Sequence, residues 1–363
     1  MTSVNVDQLE SELQNHPDKT FVNYLCNGLR QGFDLLLSDT PVNIDTFECK
    51  NAKTAIENAD VVDGLIADEL AKGFIKGPFL TAPFENYRVS PIGIAIHKYS
   101  LKKRLIFDLS SPHNKDNITS VNDLIDKDLC SLSYVQVDDA ISAIQNSGRG
   151  SLLCKTDNSD AFKQIGINPK QWNLFCFKWQ NLYYHYVRLP FGCRSSPCIF
   201  DNLSKSICWI AHNNYGINTI FHLLDDFLTV DSPSDCGERT MALLTLIFNK
   251  LNIPLSVKKT VGPTCELEYL GIVLETLKME ARLQREKIDR IVKMISLSLN
   301  KQSLTRKELE QLLGHLNFAT RVILPGRAFV TYLYKLMCSV KESSFMLNLT
   351  LNVRLIYKCG YNS

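Results

Sequence analysis

Residues 219–230, TIFHLLDDFLTV, place two adjacent aspartates, Asp225 and Asp226, between apolar runs. The apolar runs on either side read as two short strands, so the pair sits at a tight turn. Asp tolerates turn geometry, and a plain solvent-facing hairpin tip would satisfy this pattern by itself. A second aspartate site changes the argument. SLLCKTD, 151–157, is a strand ending on Asp157, followed by NSDAFKQIGI. A hairpin tip and a neighbouring strand end converge when they belong to one antiparallel sheet. Three carboxylates so gathered repel one another and are pushed toward protonation unless a cation sits among them. Mg²⁺ suits such an oxygen-only set and recruits substrate phosphates. Two such ions about 4 Å apart serve in-line phosphoryl transfer.

The surrounding elements imply an α+β layer. IGIAIH and RLIFDL read as strands joined by a basic turn, and NLFCFKW and LYYHYVRLP as a hairpin about Gln180 and Asn181. LPFGCRSSPCIF, 189–200, turns through Pro190 and Gly192 into a helix with Ile199, Leu203, Ile207 and Ile210 along one side. GERTMALLTLIFNKLNI reads as another helix and CELEYLGIVLE as another strand. Beyond about 280 the chain reads as helical, one helix opening on Thr305 and Glu308 at capping-box spacing. A run of strands, hairpin and helices in this order packs as an antiparallel sheet with helices on one face. Residues 1–85 read as helical or irregular, and no chemistry stands out in them.

Bulk properties narrow the class. Apolar residues make up 45% and charged residues 21% of the 363, the balance of an ordinary globular protein. No basic start leads into an apolar core as in a secretory signal, and no apolar run approaches the roughly 18 residues of a spanning helix. The 12 cysteines are scattered, which points to neither a zinc module nor a disulfide framework but to a reduced, intracellular setting. Residues 1–70 carry 13 Asp/Glu against 4 Lys/Arg, whereas 278–341 carry 13 Lys/Arg against 5 Asp/Glu. That basic segment reads either as a solvated helical face or as a footprint for a polyanion.

In order, SPIGIAIHKYSLKKRLIFDLSS, SVND, KTDNSDAF, LPFGCRSSPCIF, HLLDDFLTV, LSVKKT, YLGI and GHLNFATRVILPGR resemble a reverse transcriptase, most closely those of tyrosine-recombinase (DIRS-like) retrotransposons. The resemblance covers roughly residues 86–335. It implies a right-hand polymerase with fingers, a ferredoxin-like palm bearing an antiparallel sheet, and a helical thumb. The expected division is an N-terminal extension of unknown role (1–85), fingers and palm (86–277), thumb (278–340) and a tail (341–363) that stops before any ribonuclease H domain, as in a fragment of a longer polyprotein.

Carried over by position, Asp157 and Asp225 would hold two Mg²⁺ ions, with Mn²⁺ able to substitute. The backbone carbonyl of Asn158 would help, and Asp226 would act less directly. The backbone around Asp160 and Ala161 would meet the incoming triphosphate. Phe162 would be the steric gate, excluding a 2′-hydroxyl and favouring dNTPs. Arg104, and less closely Lys98, match the fingers cations that clamp the triphosphate. Phe191 and Gly192 would lie against the templating pair, and Lys259, or else Lys258, would protonate departing pyrophosphate. The implied partners are an RNA or DNA template with primer, without a membrane, in cytoplasm or nucleus. The oligomeric state stays open. Leu223 stands where the family usually has Tyr or Phe, and this departure keeps a second expectation in view: a catalytically inactive copy that only binds nucleic acid. An RNA-dependent RNA polymerase is a third, disfavoured by Asp157-x-x-Asp160 and by the aromatic Phe162.

Overall fold

The computed structural model describes residues 2–36, 44–96, 101, 103–113, 118–301, 303–338 and 346–348. The chain divides into two compact units, Met1–Gln136 with Leu152–Pro263, and Val137–Ser151 with Thr264–Ser363.

The first unit is built around a four-stranded sheet in the order Val261–Thr264, Leu152–Asp157, Asp226–Asp231, Ile220–Leu223. Its central pair is antiparallel, with Asp226 opposite Asp157 and Asp231 opposite Leu152. Helix Ser196–Asn213 packs on Ile220–Leu223, and its neighbour Gly237–Lys250 packs on the two central strands. The apolar stripe Ile199, Leu203, Ile207 and Ile210 is fully buried in one core with Phe227, while Leu228, equally buried, points to the other face of the sheet. This is the helix-on-sheet layer that the strand and helix periodicities predict.

A second sheet of this unit runs Phe47–Glu48, Arg88–Val89, Cys176–Trp179, Leu182–Tyr186, Ile75–Phe79. The hairpin within it turns through Gln180 and Asn181 at φ of 48° and 64°. Two successive positive φ values give the tight turn whose twist matches the flanking strands. A separate hairpin pairs Ile92–Ile96 with Lys103–Phe107. The N-terminal stretch supplies helices Val6–Glu12, Lys19–Gln31 and Ala59–Ala71, whose Leu9, Leu25, Leu29 and Ile66 join the same core.

The second unit holds helix Val137–Ser147, a three-stranded antiparallel sheet, and helices Arg285–Leu299, Arg306–Ala319 and Gly326–Cys338. CELEYLGIVLE, expected as one strand, is a hairpin of Glu266–Tyr269 and Ile272–Glu275. Leu270 and Gly271 both take positive φ there, a two-residue turn hidden within an apolar run. The capping box of Thr305 and Glu308 forms as its spacing predicts. No helix among the described residues is long and apolar enough to cross a membrane.

Candidate active site

The hairpin that carries the acidic pair turns one residue earlier than a turn on the pair would. Its loop is Leu224–Asp225, and Asp226 already lies in the returning strand, opposite Leu223 on one side and Asp157 on the other. Leu224 takes φ 54°, a region that a bulky side chain enters only under constraint. The constraint is visible. Ser204 Oγ donates to the Leu224 carbonyl at 2.7 Å, and the Asn158 amide donates to the Asp225 carbonyl at 3.1 Å. The turn is thereby tied both to the helix below and to the end of the neighbouring strand. Below Leu223, His222 Nε2 stands 3.1 Å from the buried carboxylate of Asp201.

Because Asp157 and Asp226 are cross-strand partners, their side chains lie next to each other on one face. The period of two puts Lys155 on that face too, its Nζ 3.6 Å from Asp226 Oδ1. Lys259 Nζ donates to Asp157 Oδ2 at 2.6 Å from the loop that follows Asn252. That loop is pinned to the same strand end, since the Ser256 amide donates to the Asp157 carbonyl at 2.8 Å.

The electrostatics follow from burial and crowding. Asp226 is pushed up to about 6, first by burial. Lys155 opposes that rise, while Asp157, to which the protonated acid donates a hydrogen bond, and the charge of Asp225 add to it. Asp225 is raised as well, mainly by burial, with Asp157 contributing and Lys259 and Lys155 opposing. Lys259 is raised by its hydrogen bond to Asp157.

The donor set suits a hard divalent cation. It is made of carboxylate oxygens, and Asp226 Oδ1 and the side-chain amide of Asn158 are buried without a hydrogen-bond partner. Among the described residues, no three His, Cys, Asp or Glu side chains are already drawn into a metal cage. The crowded carboxylates repel one another, and Lys155 and Lys259 supply positive charge beside them.

The loop that follows Asn158 holds Asp160, Ala161 and Phe162. Asp160, exposed at φ 50°, caps the short 3₁₀ turn Ala161–Gln164. The Phe162 ring is buried and stacks on Phe191, with centroids 5.1 Å apart and planes 29° apart, while Phe200 packs on it at 5.3 Å. Gly192 sits at φ 93°, and a Cβ there would meet the Phe107 carbonyl at 2.5 Å, so only glycine fits. Asn122 Nδ2 donates to the Gly192 carbonyl at 2.9 Å, fixing this turn to the SVND segment. Arg104 is exposed on the separate hairpin, in the strand Lys103–Phe107. Lys98 lies outside the described residues.

Sequence reasoning missed Lys155, although its position two before Asp157 on a strand is a signal for the same face. It also missed Glu69, Lys72 and Lys163. Lys72 Nζ pairs with Asp160 Oδ2 at 2.9 Å, and Lys163 Nζ with Glu69 Oε2 at 2.8 Å. Neither Glu69, in the helix Ala59–Ala71, nor Lys72, which caps that helix, carried any local signal.

The relatives of this arrangement are known. Residues 85–274, more than half of the chain, match the family model of reverse transcriptase (RNA-dependent DNA polymerase). The Pro-Pol polyprotein of Simian foamy virus type 3 (strain LK3) is 23% identical over 251 residues, 68% of this chain and 20% of the polyprotein. A retrovirus-related Pol polyprotein from the Drosophila melanogaster transposon opus is 21% identical over 138 residues, 38% of this chain and 13% of that one. The chain thus spans about a fifth or less of these relatives' lengths. Among solved structures, a foamy viral protease–reverse transcriptase in complex with double-stranded DNA superposes at a TM-score of 0.61 and 18% identity, covering 99% of this chain and 60% of that one. The same kind of protein in complex with an RNA/DNA hybrid gives 0.61 at 16%, covering 99% of this chain and 46% of the other. The shared fold is that of a polymerase. With its acidic sheet edge, its glycine turn and this match, the chain belongs to the reverse transcriptase family of retroelement and retroviral Pol type, RNA-directed DNA polymerases that act as nucleotidyltransferases.

Proposed function

We propose that this chain extends a primer 3′-hydroxyl with dNTPs on an RNA template, and also on DNA, releasing pyrophosphate. The observation that carries the reading is the pairing of Asp226 with Asp157 beside the Leu224–Asp225 turn, three carboxylates at one sheet edge. Asp157, Asp225 and Asp226, with the Asn158 carbonyl, are the groups that would hold two Mg²⁺ ions. Bound there, the ions would supply charge neutralisation for the attacking and leaving oxygens.

The chain's own groups do the rest. The Leu224–Asp225 turn, held by Ser204 and Asn158, presents its carboxylate at a fixed height, so little reorganisation accompanies the reaction. Asp160 and Ala161 offer backbone to the triphosphate, and Phe162 lies under the sugar, where its ring leaves no room for a 2′-hydroxyl. Phe191 and Gly192 form the floor under the templating pair. Arg104 reaches the phosphates from the fingers hairpin, and Lys98 is the second cation assigned to them. Lys259, an ammonium already within reach of the acidic edge, leaves Asp157 and gives its proton to pyrophosphate. Residues 86–277 serve as fingers and palm. The basic helices of 278–340 serve as thumb, tracking template–primer phosphates without reading sequence. The motif order supports a DIRS-like origin, and we further propose that the chain works inside the cell, in cytoplasm or nucleus.

Primer extension on an RNA template with dNTPs and Mg²⁺, run beside Asp225→Ala, tests this. Extension that the substitution abolishes supports the reading. A folded protein that binds template–primer and extends nothing, even after Leu223→Tyr, overturns it in favour of the inactive copy.

A further inference from the structure

Lys163 is an unusual residue for its place. It follows Phe162 directly in the 3₁₀ turn, yet its side chain is only 4% exposed. Its ammonium pairs with Glu69 at 2.8 Å and lies over the Tyr186 ring at 4.0 Å, with Phe74 at 5.6 Å and Phe191 at 6.0 Å. Removing an ammonium from water this far is costly, and a buried ion pair returns little net stability over an apolar pair of the same shape. Stability alone therefore gives no reason for the charge. Position does. The Lys163 amide donates to the Asp160 carbonyl at 2.9 Å, so the residue is anchored at both ends. Its head sits behind Phe191, the ring on which Phe162 stacks, and Phe200 closes the other side. A second pair, Lys72 with Asp160, ties the start of the same turn to the same helical segment.

We propose that the pair of the buried Lys163 with the half-buried Glu69 is a positioning device for sugar selectivity: it fixes the height and tilt of the Phe162 ring, so that loss of the pair lets ribonucleotides in. The inference rests on the reading of Phe162 as the steric gate, and it gives the N-terminal helix Ala59–Ala71 a part in substrate choice. Cation–π attraction over Tyr186 and Phe191 holds the rings in register with the ammonium. The pair to Glu69 keeps that ammonium from swinging out to water.

Single-nucleotide incorporation of dNTP and rNTP separates the outcomes, using the wild type, Phe162→Ala, Lys163→Met, Glu69→Gln and the double variant Glu69→Leu/Lys163→Met. Phe162→Ala is expected to lower discrimination by roughly 10²-fold, and Lys163→Met by about tenfold, mainly through the rNTP KM with dNTP kcat nearly kept. Glu69→Gln leaves an unpaired buried charge and lowers Tm. The double variant regains that Tm but keeps the relaxed selectivity, whereas a merely structural pair would see both restored. Wild-type discrimination in Lys163→Met and in the double variant, with Phe162→Ala relaxed, overturns the inference and leaves the gate standing. Unchanged selectivity in Phe162→Ala overturns the gate and the inference together. A folded wild type without extension overturns the polymerase reading itself, and this inference with it.

Discussion

Two carboxylates in this molecule shift in opposite directions. Glu308, in the first turn of the helix Arg306–Ala319, is held down to about 2 by a hydrogen bond from Lys301 and by the Thr305 amide. Asp226, at the edge of the central sheet, is pushed up to about 6 by burial and by its acidic neighbours. At Glu308 each acceptor has a donor, and the charge is what the fold wants. At Asp226 one oxygen is buried without a hydrogen bond, and the charge is what the fold resists. A carboxylate that stabilises its surroundings reads as structure. One that strains them fits the cation-binding role proposed for this site, since perturbed carboxylates gather where function needs them.

The largest effect that would sharpen this contrast is catalytic. Asp157→Asn is expected to lower extension by ~10³-fold or more while leaving the fold intact, measured as kcat/KM beside a circular-dichroism spectrum. Comparable extension from the variant would mean that the sheet edge is not where the chemistry occurs.

Next in size is the pH dependence of stability without divalent ions. The folded value of Asp226, about 6, lies above its ordinary 3.8, so its contribution is whole below pH 4 and is lost as pH rises through 6. Asp226→Asn should therefore raise stability at pH 7, by up to about 2 kcal/mol, with the gain vanishing toward pH 4. Adding Mg²⁺ at pH 7 should then raise the Tm of the wild type more than that of the variant. Denaturant melts across that range check both, and a gain that persists unchanged at pH 4 would refute the assignment.

Glu308 should behave in the reverse sense, and weakly. Its folded value lies below the ordinary 4.5, so its contribution is present above pH 4.5 and is lost as pH falls toward 2. Glu308→Gln should cost less than about 1 kcal/mol at pH 7, since the side chain is 38% exposed and screened. Thr305→Ala, which removes the other half of the box, should cost about 1 kcal/mol. Melts of the two variants at pH 7 and pH 3 would show the first effect fading and the second persisting.

What could be read from the chain alone was local. The capping box needs only a three-residue spacing, the Gln180–Asn181 turn only two residues that accept positive φ, and the buried stripe of Ser196–Asn213 only a helical period. The order of the acidic and glycine motifs was legible for the same reason, since each lies within one short segment. Tertiary structure decided the rest. The acidic hairpin turns at Leu224–Asp225 because cross-strand register with Asp157 and the hydroxyl of Ser204 outweigh the preference of a bulky residue for negative φ. Lys259 meets Asp157 across 102 residues, Lys163 meets Glu69 across 94, and Lys72 meets Asp160 across 88. No periodicity or spacing encodes such pairs. Charges become partners only when packing brings their elements together, and burial then sets what each partnership does.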